Sequence, residues 1–155
     1  MLKAYYKKNN KFYYFDTIKG GKLEFVDHRE HRGFFINLLQ RSQYTITYFA
    51  KFDSNKETTG IQEVGYRFFE GAAAGTVMLG VPPNNPAFKE YFDWPNAVVR
   101  VDQGENNILD VIADLNAHPE KLDRIRKDNI SNSLIKHDWV YRWEEMLSYF
   151  NLDIT

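Results

Sequence analysis

Hydrophobic and polar positions along this chain follow two interleaved periods. Short runs rich in aromatic and β-branched residues fall at positions 11–16 (KFYYFD), 23–26, 44–50 (YTITYFA), 76–80 (TVMLG) and 97–101 (AVVRV), and each predicts a strand. Stretches with helical spacing lie between and after them. Residues 2–8 read as a helix end, and Asp27 reads as an N-cap with Glu30 three positions on, as in a capping box. The helix it opens runs to about Arg41 and buries Phe34, Phe35, Leu38 and Leu39 on one side. A second helix is expected to reach about Ala74, stopped by Gly75 as the C′ residue. Further helices are predicted at 88–92, 106–116, 119–136 and 138–150. Residues 17–21 and 81–86 (VPPNNP) are turn or loop, because paired glycines and prolines do not continue a ladder, and residues 51–60 are polar and irregular.

Strands joined through helices imply an α/β fold with a mostly parallel sheet and right-handed crossovers. The run at 76–80 is almost wholly apolar, as expected of a strand covered on both faces. In such sheets ligands bind beyond the carboxyl ends of the strands. That rule selects the loops at 51–65, 80–88 and 101–106.

The first of these loops leads into QEVGYRFFEGAAAG, residues 62–75. A glycine at a helix start lets a ligand approach the backbone, and the first turn offers free N–H groups with partial positive charge. Gly65 and Tyr66 therefore form a candidate diphosphate contact. Arg67 adds a cation in the first turn, and Glu70, one turn on, is placed to accept hydrogen bonds from two vicinal hydroxyls such as those of a ribose. The alternative is a tightly packed Ala/Gly-rich helix with Arg67 as the ion-pair partner of Glu70. Asn84 and Asn85, at the carboxyl end of the 76–80 strand, are either a sugar or diphosphate contact or a plain turn.

Composition narrows the classes. The chain has 155 residues, enough for one compact domain spanning 1–155, with 43% apolar and 16% aromatic residues to build a core. A net charge of -1 argues against bulk attraction to nucleic acid. No cysteine is present, which removes disulfides and thiolate zinc sites and suits a reducing cytoplasm. No apolar run reaches the roughly 18 residues of a membrane span. His28 and His31, three apart beside Asp27, lack a third strong ligand, so no metal site is expected there. His118 marks a helix boundary before Pro119. Trp139 and Trp143 lie four apart on one helix face, and Trp139 is read as core packing.

The order strand, polar loop, Gly65, Glu70, Gly75, apolar strand resembles the carboxyl domain of GT-B glycosyltransferases. More narrowly it is similar to group 1 transferases of the spore-maturation CgeB-like type, which carry runs like residues 69–75, 27–32 (DHREHR) and 137–143 (HDWVYRW). The similarity covers about residues 13–147. It implies a three-layer Rossmann-like domain that binds a nucleoside diphosphate sugar, with no bound metal or cofactor required, for transfer to an acceptor that is a glycan, a protein or a lipid.

In that family two glutamates separated by seven residues bracket the donor. Glu70 matches the second, whose implied role is to hold the ribose; Gln62 stands at the place of the first, with the carboxylate of Glu63 one position on. Gly65 matches the glycine whose neighbouring amides face the diphosphate. The last helix, by the same resemblance, packs toward an amino-terminal domain. Family members have two Rossmann-like domains, and this length holds one, lacking the first strand of the carboxyl domain. The expectation is therefore a truncated donor-binding half, inactive alone, that pairs with a missing amino-terminal domain or with itself. A non-catalytic module acting in self-association is the alternative.

Overall fold

The computed structural model describes residues 6–9, 11, 27–49, 60–102 and 108–152. The strands expected at 11–16 and 23–26, the turn at 17–21 and most of the 51–60 loop lie outside the described residues. The chain divides into two compact units, 1–35 and 36–155. In the first, Tyr6–Lys8 form a helical turn closed by the Lys11 N–H donating to Tyr6 O, and Asp27 Oδ1 accepts the Arg29 N–H at 2.8 Å. Asp27 thus caps helix α1, His28–Arg41. On α1 only Leu39 is buried; Phe35 and Leu38 are half-buried and Phe34 is exposed.

The second unit is a Rossmann-like α/β domain. Its described sheet has three parallel strands in the order β1-β2-β3: Tyr44–Ile46, Val77–Gly80 and Val98–Arg100. The register pairs Thr45 with Met78 and Met78 with Val98. Because side chains alternate along a strand, these three share one face, while Tyr44, Val77 and Leu79 share the other. Helix α2, Tyr66–Ala73, covers the first face: a Cβ at Gly71 would lie 2.9 Å from Met78 Sδ and 3.3 Å from Thr45 Cγ2. Helix α4, Ile108–Ala117, reaches the second, where the Tyr44 hydroxyl donates to Asn116 Oδ1 at 2.8 Å. Every residue of β2 is buried, which explains its unbroken apolar run.

The core between α2 and the sheet gathers Phe68, Ala72, Met78, Phe88, Phe92, Trp94 and Ala97. Phe88 and Phe92 stack at 4.9 Å on the short helix α3, Pro86–Tyr91, and Phe68 meets Phe88 edge-on at 5.2 Å. Helix α5, Pro119–His137, runs past the amino end of β2. There Asn129, fully buried, receives the Trp94 indole N–H at 2.8 Å and donates to Thr76 O at 2.9 Å. The amide's oxygen and nitrogen each have a partner, so the polar group costs little where it lies.

Several boundaries differ from the sequence expectation. The strand expected at 44–50 pairs only over Tyr44–Ile46, with one more bond from Thr47 N–H to Leu79 O. Helix α2 starts at Tyr66, directly after Gly65, whereas α3 starts at Pro86, two residues before the expected 88, because Asn85 caps it and proline at the first helical position forfeits no bond. The core-packing expectation for Trp139 fails. Helix α6, Trp139–Tyr149, buries none of its residues, and both Trp139 and Trp143 are exposed. The helix starts immediately after α5, with Asp138 as its cap, and this geometry turns the indoles outward.

Candidate functional site

Helix α2 divides into two faces. Phe68, Gly71 and Ala72 are buried, whereas Tyr66, Arg67 and Glu70 point outward. Its carboxyl end is closed by a Schellman arrangement: the Thr76 N–H donates to Gly71 O at 3.1 Å and the Gly75 N–H to Ala72 O at 3.0 Å. Gly75 adopts φ +67, and a Cβ there would fall 2.5 Å from Ile130 Cδ1. The Arg126 Nε–H donates to Gly75 O at 2.8 Å. This end is fixed by packing.

The amino end is open. Gly65 is the N-cap with φ -73 and ψ 155, and no side chain caps the helix. A Cβ at Gly65 would meet nothing within 4 Å, so neither torsion nor packing demands glycine. Tyr66 is 86% exposed. Arg67 Nη1 and Glu70 Oε2 lie 3.0 Å apart with both side chains about half exposed, so the ion-pair alternative is realised. A pair so exposed contributes little stability and can be re-partitioned by a ligand.

Two loops meet beside this end. The Asn84 N–H donates to Gln62 Oε1 at 2.7 Å, and Asn85 Nδ2 donates to the Gln62 carbonyl. Asn85 Oδ1 in turn accepts the Phe88 N–H at 2.7 Å and caps α3. Gln62, the position where the resemblance has glutamate, is thus a clasp between the loop leading into α2 and the loop leaving β2. Glu63 beside it is exposed. Gly65, Gln62, Asn84 and Asn85 are brought to one edge, and Tyr66, Arg67 and Glu70 line the outward face of the helix leaving it.

Sequence reasoning missed five further residues at the carboxyl ends of the strands: Gly80, Thr47, Tyr48, Arg100 and Asp102. Gly80 ends β2 where a Cβ would strike the carbonyl of Thr47; its glycine is a close backbone approach. Thr47 Oγ1 is buried without a hydrogen-bond partner. The Tyr48 hydroxyl donates to Val101 O at 3.3 Å, and burial first, then the charge of Asp102, pushes the phenol above its usual range. Arg100 Nε donates to Asp102 Oδ2 at 3.0 Å and its Nη2 to Oδ1, a two-point clamp. Only the strand-end rule pointed to this neighbourhood, since no spacing motif marks these residues. Among the described residues no group of three His, Asp or Glu side chains could hold a metal ion, and no helix is long and apolar enough to cross a membrane.

No curated protein and no solved structure matches the chain. A family model described as glycosyl transferase-like matches residues 10–148, nearly the whole length. On that match, together with a parallel α/β sheet whose open helix start sits at its carboxyl edge, the chain belongs to the glycosyl transferase-like family.

Proposed function

We propose that this chain is the donor-binding domain of a GT-B glycosyltransferase of the group 1, CgeB-like type, holding a nucleoside diphosphate sugar for transfer to a glycan, protein or lipid acceptor. The observation that carries the reading is the start of α2: an N-cap glycine with no side-chain cap and open space before it. A diphosphate there accepts from the first-turn N–H groups of Tyr66 and Arg67 and gains from the helix dipole. The Arg67 guanidinium swings from Glu70 toward the phosphate oxygens. Glu70, released, accepts from the ribose hydroxyls. The Gln62–Asn84–Asn85 clasp holds the neighbouring loop against the sugar side of the site.

In this reading catalysis is positioning plus stabilisation of the departing diphosphate, with Arg67 and the α2 amides supplying the positive charge. The acceptor and any second cleft wall come from outside the residues described. Titration with UDP, GDP and a panel of nucleotide sugars, followed by amide chemical shifts, tests the reading. Shifts concentrated at residues 65–70 and weakened about tenfold or more in Glu70→Ala are expected, the size of losing a charge-assisted hydrogen bond. Absence of any nucleotide-induced shift at these amides refutes it.

A further inference from the structure

Among the described residues the buried polar side chains are Thr47, Thr76, Asn129 and Ser133. Two of them are satisfied. The Thr76 hydroxyl donates to Gly71 O at 3.1 Å, and Asn129 is joined to Trp94 and to Thr76 O. Thr47 Oγ1 and Ser133 Oγ have no hydrogen-bond partner among the described residues. These two differ in setting. Ser133 lies in helix α5, where a small torsion brings a hydroxyl to the carbonyl one turn back. Thr47 follows the last paired residue of β1 and is 1% exposed, and an extended backbone offers its hydroxyl no such carbonyl. Valine would fill the same space without leaving a buried polar atom unsatisfied. Packing therefore does not account for the hydroxyl.

Its place in the fold does. Thr45 lies against Gly71 of α2, and side-chain alternation puts Thr47, two residues on, on the same face of the sheet. Helix α2 joins two parallel strands, so it runs back against the direction of β1. Two residues of strand advance about 6.7 Å, the length of roughly four to five residues of helix. Counting back that far from Gly71 reaches Tyr66 and Arg67, the uncapped first turn. Thr47 thus lies beneath that turn. Beside it on β2, where the Thr47 N–H donates to Leu79 O at 2.9 Å, comes Gly80, which adds no side chain. We propose that the Thr47 hydroxyl is a further donor-binding group, giving its hydrogen to a phosphate oxygen of the nucleoside diphosphate from the sheet side while the Tyr66 and Arg67 amides donate from the helix side; this rests on the reading of α2 as the donor helix. Phosphate oxygens only accept, and a charged acceptor makes the strongest use of a hydroxyl that the fold leaves unsatisfied. Residues 61–65, which lead into the turn, have no regular structure, so the way to Thr47 opens without breaking a helix or a strand ladder.

Titration of the full chain with UDP and GDP, in the parent, Thr47→Val and Thr47→Ser, tests the proposal. Thr47→Val is expected to weaken the nucleoside diphosphates about tenfold with unchanged far-UV circular dichroism, the size of a lost hydrogen bond to a charged acceptor. Thr47→Ser keeps the hydroxyl and is expected to stay within about threefold of the parent. Phosphorus-31 spectra of the bound nucleotide at saturation separate a phosphate contact from a general distortion. One phosphorus resonance is expected to differ between parent and Thr47→Val, with the ribose H1′ signal unmoved. A valine variant that binds both nucleotides like the parent overturns the proposal, the hydroxyl then being partnered by a buried water; the donor reading of α2 survives that result if the amides of residues 65–70 still shift. A serine variant as weak as the valine one also overturns it, since the methyl packing and not the hydroxyl is then at work. A change at H1′ with the phosphorus signals unmoved overturns it too. Amides at 65–70 that stay silent toward every nucleotide in the parent remove the donor reading and this proposal together.

Discussion

The two ends of helix α2 are built on glycine for different reasons. At the carboxyl end, Gly71 lies against Met78 and Thr45, and Gly75 combines a left-handed φ with Ile130 at its back. Both positions disfavour a Cβ, by crowding at Gly71 and by torsion and crowding at Gly75. At the amino end, Gly65 has an ordinary extended torsion and empty space where a side chain would sit. Identical letters thus mark a packing constraint in one place and an unconstrained position in the other. Where the fold does not require the glycine, the reason for it is sought in what approaches from outside.

Substitutions separate the two ends. The largest effect is expected from Gly75→Ala, which combines left-handed strain with a clash against Ile130 and should cost about 2–4 kcal/mol by urea denaturation. Gly65→Ala is expected to change stability by less than about 0.5 kcal/mol, because losing a good cap offsets the reduced chain entropy of the unfolded state. The same variant should weaken nucleotide binding by roughly tenfold, a methyl group now standing between diphosphate and amides. If Gly65→Ala binds like the parent, the contrast between the ends is only structural.

His137 gives a pH test on the outer side of the same helix. Its ring lies 5.0 Å from Phe69, and Nε2 is 2.9 Å from Tyr91 O. Burial first holds its pKa below the ordinary value of 6.5, with the nearby Arg142 and Lys136 charges adding to the effect and the Tyr91 hydrogen bond opposing it. The unfolded chain therefore binds this proton more readily than the folded one. The contribution is fully present above about pH 6.5 and is lost as pH falls through the folded pKa. Denaturation midpoints measured from pH 7.5 downward should show it, and His137→Gln should remove that part of the slope. The smallest effect is expected from Thr47→Val. Removing an unpartnered buried hydroxyl should leave stability equal or slightly higher, and weaker nucleotide binding in that variant would show the hydroxyl reaching the ligand.

Much of this was legible in local sequence. The parallel α/β class, the positions of β2 and β3, the Gly75 stop and the helices after residue 106 follow from periodicity, prolines and capping residues. The diphosphate-site reading of residues 62–75 stood beside a plain packed helix, and the structure shows the Arg67–Glu70 pair that the second reading expects. What local sequence could not show depends on distant partners. The Asn84 and Asn85 donors that hold Gln62 lie more than twenty positions on. The Trp139 and Trp143 spacing reveals an apolar stripe but not whether this chain covers it. Thr47, Tyr48 and Arg100 matter through strand register, which composition does not encode.

The Gln62 clasp has an electrostatic consequence. A glutamate there could also accept the Asn84 N–H, but it would bring a negative charge to the edge where a diphosphate is expected, and protonation in acid would loosen the grip. An amide accepts the same bond with no formal charge and no titration. It leaves its own NH₂ as a donor at that edge. The loops before α2 and after β2 are therefore joined by a neutral link whose strength is independent of acidity, and the edge is left less repulsive to an anion than a carboxylate at this position would make it.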